Sequence, residues 1–422
     1  MKFSTTLAAV SAVAAPMFVS AAPVRRQTPT LAASFQSGAV YFMTNEPSGN
    51  NVISATIGNN GQLTIASTFS ASGNGAHGMT EAPEGPDAMF SQGSIVVNPT
   101  SAMLATANAG SNTISLFSIN PNTPSDLTSV GPPMSSGGEF PMSVAFSSDG
   151  TALCALNGGA MDGVQCYNVS STTGLSIMPN TRRFLGMNQT TPPMGPLGTA
   201  SQVIFSQDDA TVYAAVKGNP DTNVTGFIAA WNMTASGLSD EFTRIELPEG
   251  AVAPFSLTPI PNANAFFAAD AGIGADVLDF SQGPEMATAS PNTQSFAIPD
   301  QGAVCWSAYS PSTGSYYVSD LLTSTVTEIA LNPTNMTPSI LNAYPISPGV
   351  ATLDLEVASL GEQDYLYVLM PNATAVEVLR LDQPGNATSL QQMDIAGPAS
   401  QLGLSVTPNY LIGMASYVKN AQ

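Results

Sequence analysis

The chain has 422 residues, of which only 9% are charged: nine Lys and Arg stand against 29 Asp and Glu, with a single His. The formal charge of −20 excludes a nucleic-acid-binding protein, which needs a basic stripe, and adhesion to anionic lipid, which needs basic clusters. One histidine excludes every metal or catalytic motif built on two, and an apolar share of 43% is ample for a large core.

Residues 1–21 read as a secretory signal peptide. Lys2 supplies its positive end. Phe3 to Val19 is too short and too rich in Ala and Ser for a membrane span. Ser20, Ala21 and Ala22 form a small-residue cleavage site, and Pro23 directs the cut to follow Ala21. Residues 22–26 then form a short pro-segment, with dibasic cleavage expected after Arg26. Loss of Lys2, Arg25 and Arg26 leaves six bases against 29 acids, so the charge of −20 becomes −23.

Residues 27–422 predict a single all-β domain. No stretch holds a long apolar period of 3.6. Short Val-, Ile-, Leu-, Phe- and Tyr-rich runs alternate with turns, and 36 Gly and 33 Pro punctuate the chain. Residues 39–44 and 51–57 read as the second and third strands of a four-stranded unit, with 62–69 as its outer strand. Complete units follow, with first strands near Ile95, Val144, Val203, Ser256, Trp306 and Leu355, and a weaker start near Leu404. A period of about 50 residues with four short strands is a propeller blade. The expectation is a seven-bladed β-propeller closed by strands from both termini, with Gly403 to Thr407 supplying the missing first strand. Tyr410 to Tyr417 remains as a further strand that competes with 39–44.

In such a ring one face gathers the loops 73–93, 108–112, 135–141, 157–163, 185–202, 217–226, 269–276, 299–305, 319–325 and 345–354, and a ligand site belongs there. Gly73-Asn74-Gly75-Ala76-His77-Gly78 fits a dinucleotide fingerprint, but Pro83, Gly85 and Pro86 prevent the helix that such a site needs. His77 is either a general base or a solvated loop side chain. Lys217 could hold a carboxylate or carbonyl oxygen. Its alternative is a solvated side chain or an ion pair with Asp221 or Glu139. Arg182-Arg183 reads as an exposed edge pair. Asp270, Asp276, Asp320 and Asp354 fall in loops of this face, where they cap backbone amides or hold one hard cation.

Cys154 and Cys166 flank Asn157-Gly158-Gly159 in a hairpin and are expected to form a disulfide. Cys305, in an apolar run, is expected to be a buried free thiol. Seven glycosylation sequons, at Asn168, Asn188, Asn223, Asn232, Asn335, Asn372 and Asn386, accord with secretion.

Several segments form a recognisable set: Pro86-Asp87-Ala88-Met89-Phe90-Ser91-Gln92-Gly93-Ser94, Asn108-Ala109-Gly110-Ser111-Asn112-Thr113, Gly138-Glu139-Phe140-Pro141, Asn157-Gly158-Gly159, Asn188 to Pro196 and Val216-Lys217-Gly218. On these the chain resembles the secreted fungal glycoproteins classed with 3-carboxymuconate cyclases, within the seven-bladed lactonase-type propellers. The resemblance spans the mature chain and is densest over residues 86–235. It implies an extracellular or cell-wall location and lactone-forming or lactone-opening chemistry. Enzymes of the wider family often place a His just before a blade's first strand. Here those positions read Phe140-Pro141-Met142 and Thr199-Ala200-Ser201.

The expectation is therefore a secreted, monomeric cell-wall or surface glycoprotein that binds a small molecule or an extracellular surface ligand, with catalysis lost or vestigial. No cofactor, metal, nucleic acid or membrane span is expected. The alternative is an active lactonase or carboxymuconate cycloisomerase that uses His77 with Lys217 or Glu139.

Overall fold

A computed structural model describes residues 37–81 and 84–419. The signal and pro-segment boundaries lie outside the described residues.

Seven antiparallel sheets follow one another in the pattern of a propeller. The first complete blade runs outward from Ile95–Asn98 through Met103–Asn108 and Thr113–Ile119 to Leu127–Ser129. The next five begin at Pro141–Phe146, Ala200–Phe205, Pro254–Pro259, Val304–Ser310 and Leu355–Leu360. These are the six sites where the repeat places first strands.

Second strands show why the sequence lacks clean alternation. Met103–Asn108, Thr211–Val216, Ala265–Asp270 and Ser315–Asp320 are buried at every position. Each lies between two neighbouring blades, so both of its faces pack and both must be apolar or small. Outer strands meet water instead, and Pro338–Pro345 is exposed along most of its length.

The closing blade differs from the sequence expectation. Its order is Leu63–Ser70, Asn51–Ile57, Gly38–Met43 and, innermost, Ile412–Val418. Tyr41 pairs with Ala415, and Ala39 with Tyr417. The strand expected at Gly403 to Thr407 is absent. A short helix, Ala396–Gln401, precedes it, and the Leu404 amide turns back to the Ala399 carbonyl. That segment is spent on ending the helix, so the more apolar 412–418 run takes the inner position.

Cys154 and Cys166 face each other across one hairpin and are bonded, with Cα atoms 4.0 Å apart. Gly163 at the hairpin's foot has φ +97°, and a Cβ there would lie 2.1 Å from the Arg183 carbonyl oxygen. No helix among the described residues is long and apolar enough to cross a membrane.

Candidate functional site

The loop-rich face carries a cavity of about 690 Å³, within the size range of small-molecule sites. Phe90, Met194, Pro196, Leu197, Leu321 and Ala351 give it an apolar lining, with Glu81, Asp87 and Asp221 as its acids. Among the described residues no Lys, Arg or His lines it.

Beneath it, residues 90–93 cross the mouth of the central channel. The Ser91 hydroxyl donates to the Met142 carbonyl at 2.7 Å, and the Trp306 indole N–H donates to the Ser91 carbonyl at 3.2 Å. The Gln92 amide N–H donates to the Ser201 carbonyl at 3.2 Å. Its side chain exchanges two bonds with the Ser307 backbone, at 3.1 and 3.0 Å. Met142, Ser201 and Ser307 belong to the inner strands of three different blades. One loop thus fastens to several sides of the ring.

Lys217 is 1% exposed. Its ammonium group donates to the Phe90 carbonyl and stands 4.5 Å from the centre of the Phe255 ring. It is neither solvated nor paired with Asp221 or Glu139, as the sequence alternatives had it. Burial pulls its pKa down, and the opposing charge of Asp87 holds it back. Asp87 is buried too, and its Oδ1 accepts the Phe90 amide at 2.9 Å. Burial pushes its carboxyl up, against the charges of Lys217 and His77. Asp87 and Phe90 both hold left-handed backbone, at φ +73° and +57°, a costly state for a bulky side chain such as Phe90. Asp87 and Lys217 thus hold Phe90, which lines the pocket, by its amide and its carbonyl.

His77 is not a solvated loop residue, being 7% exposed. Nδ1 lies 2.6 Å from the Gly78 carbonyl oxygen and Nε2 lies 2.8 Å from that of Gly85. Both ring nitrogens thus face backbone acceptors. A general base needs one nitrogen open to its substrate, and His77 has none. The glycines around it serve packing: a Cβ on Gly75 would lie 1.8 Å from the Asn45 carbonyl oxygen, and one on Gly78 would lie 2.2 Å from the Phe90 ring.

Glu139 stands apart from this cluster. Its Oε2 accepts the Thr191 hydroxyl at 2.5 Å, and it does not line the cavity. The structure thus brings His77 and Lys217 together around Asp87 and leaves Glu139 elsewhere.

Asp87 and Phe90 were missed as site residues by sequence reasoning. The available signal was one acid inside an apolar run, Asp87-Ala88-Met89-Phe90.

The remaining candidates are structural. Asp270 and Asp320 each cap amides of their inter-blade loops, Val252, Ala253 and Gly272 for the first, and Gly302, Ala303, Leu322 and Thr323 for the second. Asp276 meets no donor, and burial beside Asp270 pushes its carboxyl well above the usual range. Lower in the channel, a cavity of about 190 Å³ is lined by Asp354 and Glu356. Burial pushes their carboxyls up to about 8 and about 7. Among the described residues no three His, Cys, Asp or Glu are grouped to hold a metal ion. Arg183 is buried rather than an exposed edge residue, and its Nε donates to the Ser239 carbonyl at 2.6 Å. Cys305 is a buried free thiol, as expected, and burial raises its pKa well above the usual value.

Fold and site together define a seven-bladed β-propeller with an apolar, acid-rimmed pocket. The family model described as "Lactonase, 7-bladed beta-propeller" matches residues 31–182. Among solved structures, the chain is similar to the periplasmic gluconolactonase of Pseudomonas aeruginosa, with 14% identity and a TM-score of 0.60, covering 85% of this chain and 96% of that one. It is similar to a provisionally assigned 6-phosphogluconolactonase from Bacteroides uniformis, with 14% identity, TM-score 0.60 and coverage of 85% and 98%. A protein with the same provisional assignment from Bacteroides fragilis gives 12% identity, TM-score 0.59 and coverage of 90% and 98%. At these identities the likeness is one of fold. No curated protein matches the chain.

Proposed function

We propose that this protein is a secreted glycoprotein that binds a small molecule in the loop-face pocket without transforming it. One observation carries the reading. His77, Lys217 and Glu139 all bond within the protein, and none of them lines the cavity. Phosphorylated or polycarboxylate substrates need cationic groups around them, and the described residues of the lining offer none. The test is to mix the purified protein with simple lactones and with 3-carboxymuconate and follow both by NMR. Unaltered compounds are expected. Turnover that disappears in His77→Ala or Lys217→Met contradicts the reading.

Secretion and a cell-wall or surface location belong to the same proposal. All seven sequon asparagines are exposed, and the Cys154–Cys166 bond suits an oxidising compartment. Asn372 itself lines the pocket, so a glycan there would stand at its mouth. Mass spectrometry of the secreted protein, before and after glycan removal, is expected to show a mature start at Gln27 and glycosylated sequons. A polypeptide retaining residues 1–21 and carrying no glycan contradicts this.

A second reading, an active lactonase, is favoured by Asp87. It lines the pocket beside the Lys217 charge, and burial raises its carboxyl, as a general base requires. That reading predicts lactone opening that rises with pH as Asp87 ionises and is abolished in Asp87→Asn.

A further inference from the structure

The charges around the pocket identify what kind of molecule fits it. Glu81 and Asp221 are exposed side chains of its lining, and neither takes part in an ion pair among the described residues. All six bases that follow residue 26 are committed elsewhere. Arg183, Arg244 and Arg380 pair with Asp240, Glu246 and Asp382. Arg182 donates to the Asp162 carbonyl, Lys419 to that of Asn122 and Lys217 to that of Phe90. Among the described residues no basic side chain is left to balance the two rim carboxylates.

The rest of the lining is apolar and in part open. Leu322 is 70% exposed and Met194 44% exposed at the cavity edge, and Phe90 lines the same cavity. Exposed apolar side chains around a concavity mark a binding surface. A cleft of one charge sign, with low-dielectric walls, concentrates ligands of the opposite sign.

We propose that the pocket is a receptor for an organic cation with an apolar body, its ring or chain against Phe90, Met194 and Leu322 and its ammonium group toward Glu81 and Asp221. This rests on the binding reading of the same pocket and adds the chemical class of the ligand. The class is opposite in charge to phosphorylated or polycarboxylate lactones.

The test uses three probes of one shape: 1-naphthylmethylamine, 1-naphthylmethanol and 1-naphthoate, titrated calorimetrically into the full mature protein. The amine is expected to bind about tenfold more tightly than the alcohol, and the carboxylate more weakly than either. The amine's advantage is expected to shrink as salt rises from about 20 to about 500 mM and to collapse in the double variant Glu81→Gln/Asp221→Asn. Both substitutions are on exposed side chains, and an unchanged Tm confirms that the variant is folded. Carboxylate binding equal to or tighter than amine binding overturns the cation inference and leaves the pocket as a binding site. Binding by none of the three overturns the pocket reading itself.

Discussion

Lys217 and Asp87 set the local chemistry because each is buried beside the other's charge. They make no direct ion-pair contact, but removing one buried charge leaves the other uncompensated. Lys217→Met is therefore expected to cost about 3 kcal/mol at pH 8, read from denaturant unfolding. The cost is expected to be smaller at pH 5. Without the ammonium group the Asp87 carboxyl, already raised by burial, rises further, so it takes up a proton at pH 5 and no bare charge is left. Adding Asp87→Asn is expected to recover part of the loss at pH 8. An equal loss at both pH values would contradict the pair. Sequence reasoning singled out Lys217 because bases are few, but it could not see Asp87. A lone acid in a loop is ordinary until the fold buries it over a channel.

Blades and their closure were legible to different degrees. The six inner-strand starts could be read because each repeats the same pattern of short buried runs and turns. The closing strand could not. Leu404 sits at the repeat distance from Leu355, but its backbone is used to end the short helix, and only the pairing of Tyr41 with Ala415 reveals the true inner strand. Truncation before Ile412 is expected to expose the edge of Gly38–Met43 and to yield aggregated protein, visible by light scattering. A soluble monomer with an unchanged unfolding transition would contradict closure by this strand. The hairpin disulfide closes a sequence separation of 12 residues. Replacing both cysteines by Ala is expected to lower stability by about 3 kcal/mol, measured in the same way. A loss under about 1 kcal/mol would mean that the unfolded hairpin is already restricted.

At the scale of the molecule, the acids govern the response to pH. Burial raises Asp354 to about 8 and Glu356 to about 7, and Asp276 well above the usual range. Between the ordinary carboxyl range near 4 and these values, the folded protein holds protons that the unfolded chain has released. Stability from these groups is full below that range and is lost as pH rises toward 8. The excess negative charge acts in the same direction. The Tm is therefore expected to rise as pH falls from 8 to 5, and to turn over only below the ordinary carboxyl range near 4, as Asp149 and Asp382, held low by their hydrogen bonds, become protonated. A Tm that falls steadily from pH 8 to 5 would contradict the buried neutral carboxyls. The same scarcity of bases leaves the described lining of the pocket without a cation and ties Lys217 and His77 into backbone bonds, which is why binding without chemistry is the central claim. The most direct test is to incubate stoichiometric wild-type protein with a lactone panel at pH 7 and quantify the ring-opened acid beside Asp87→Asn and a protein-free control. The account predicts equal product in all three; product above background with the wild type, lost in Asp87→Asn, would contradict it.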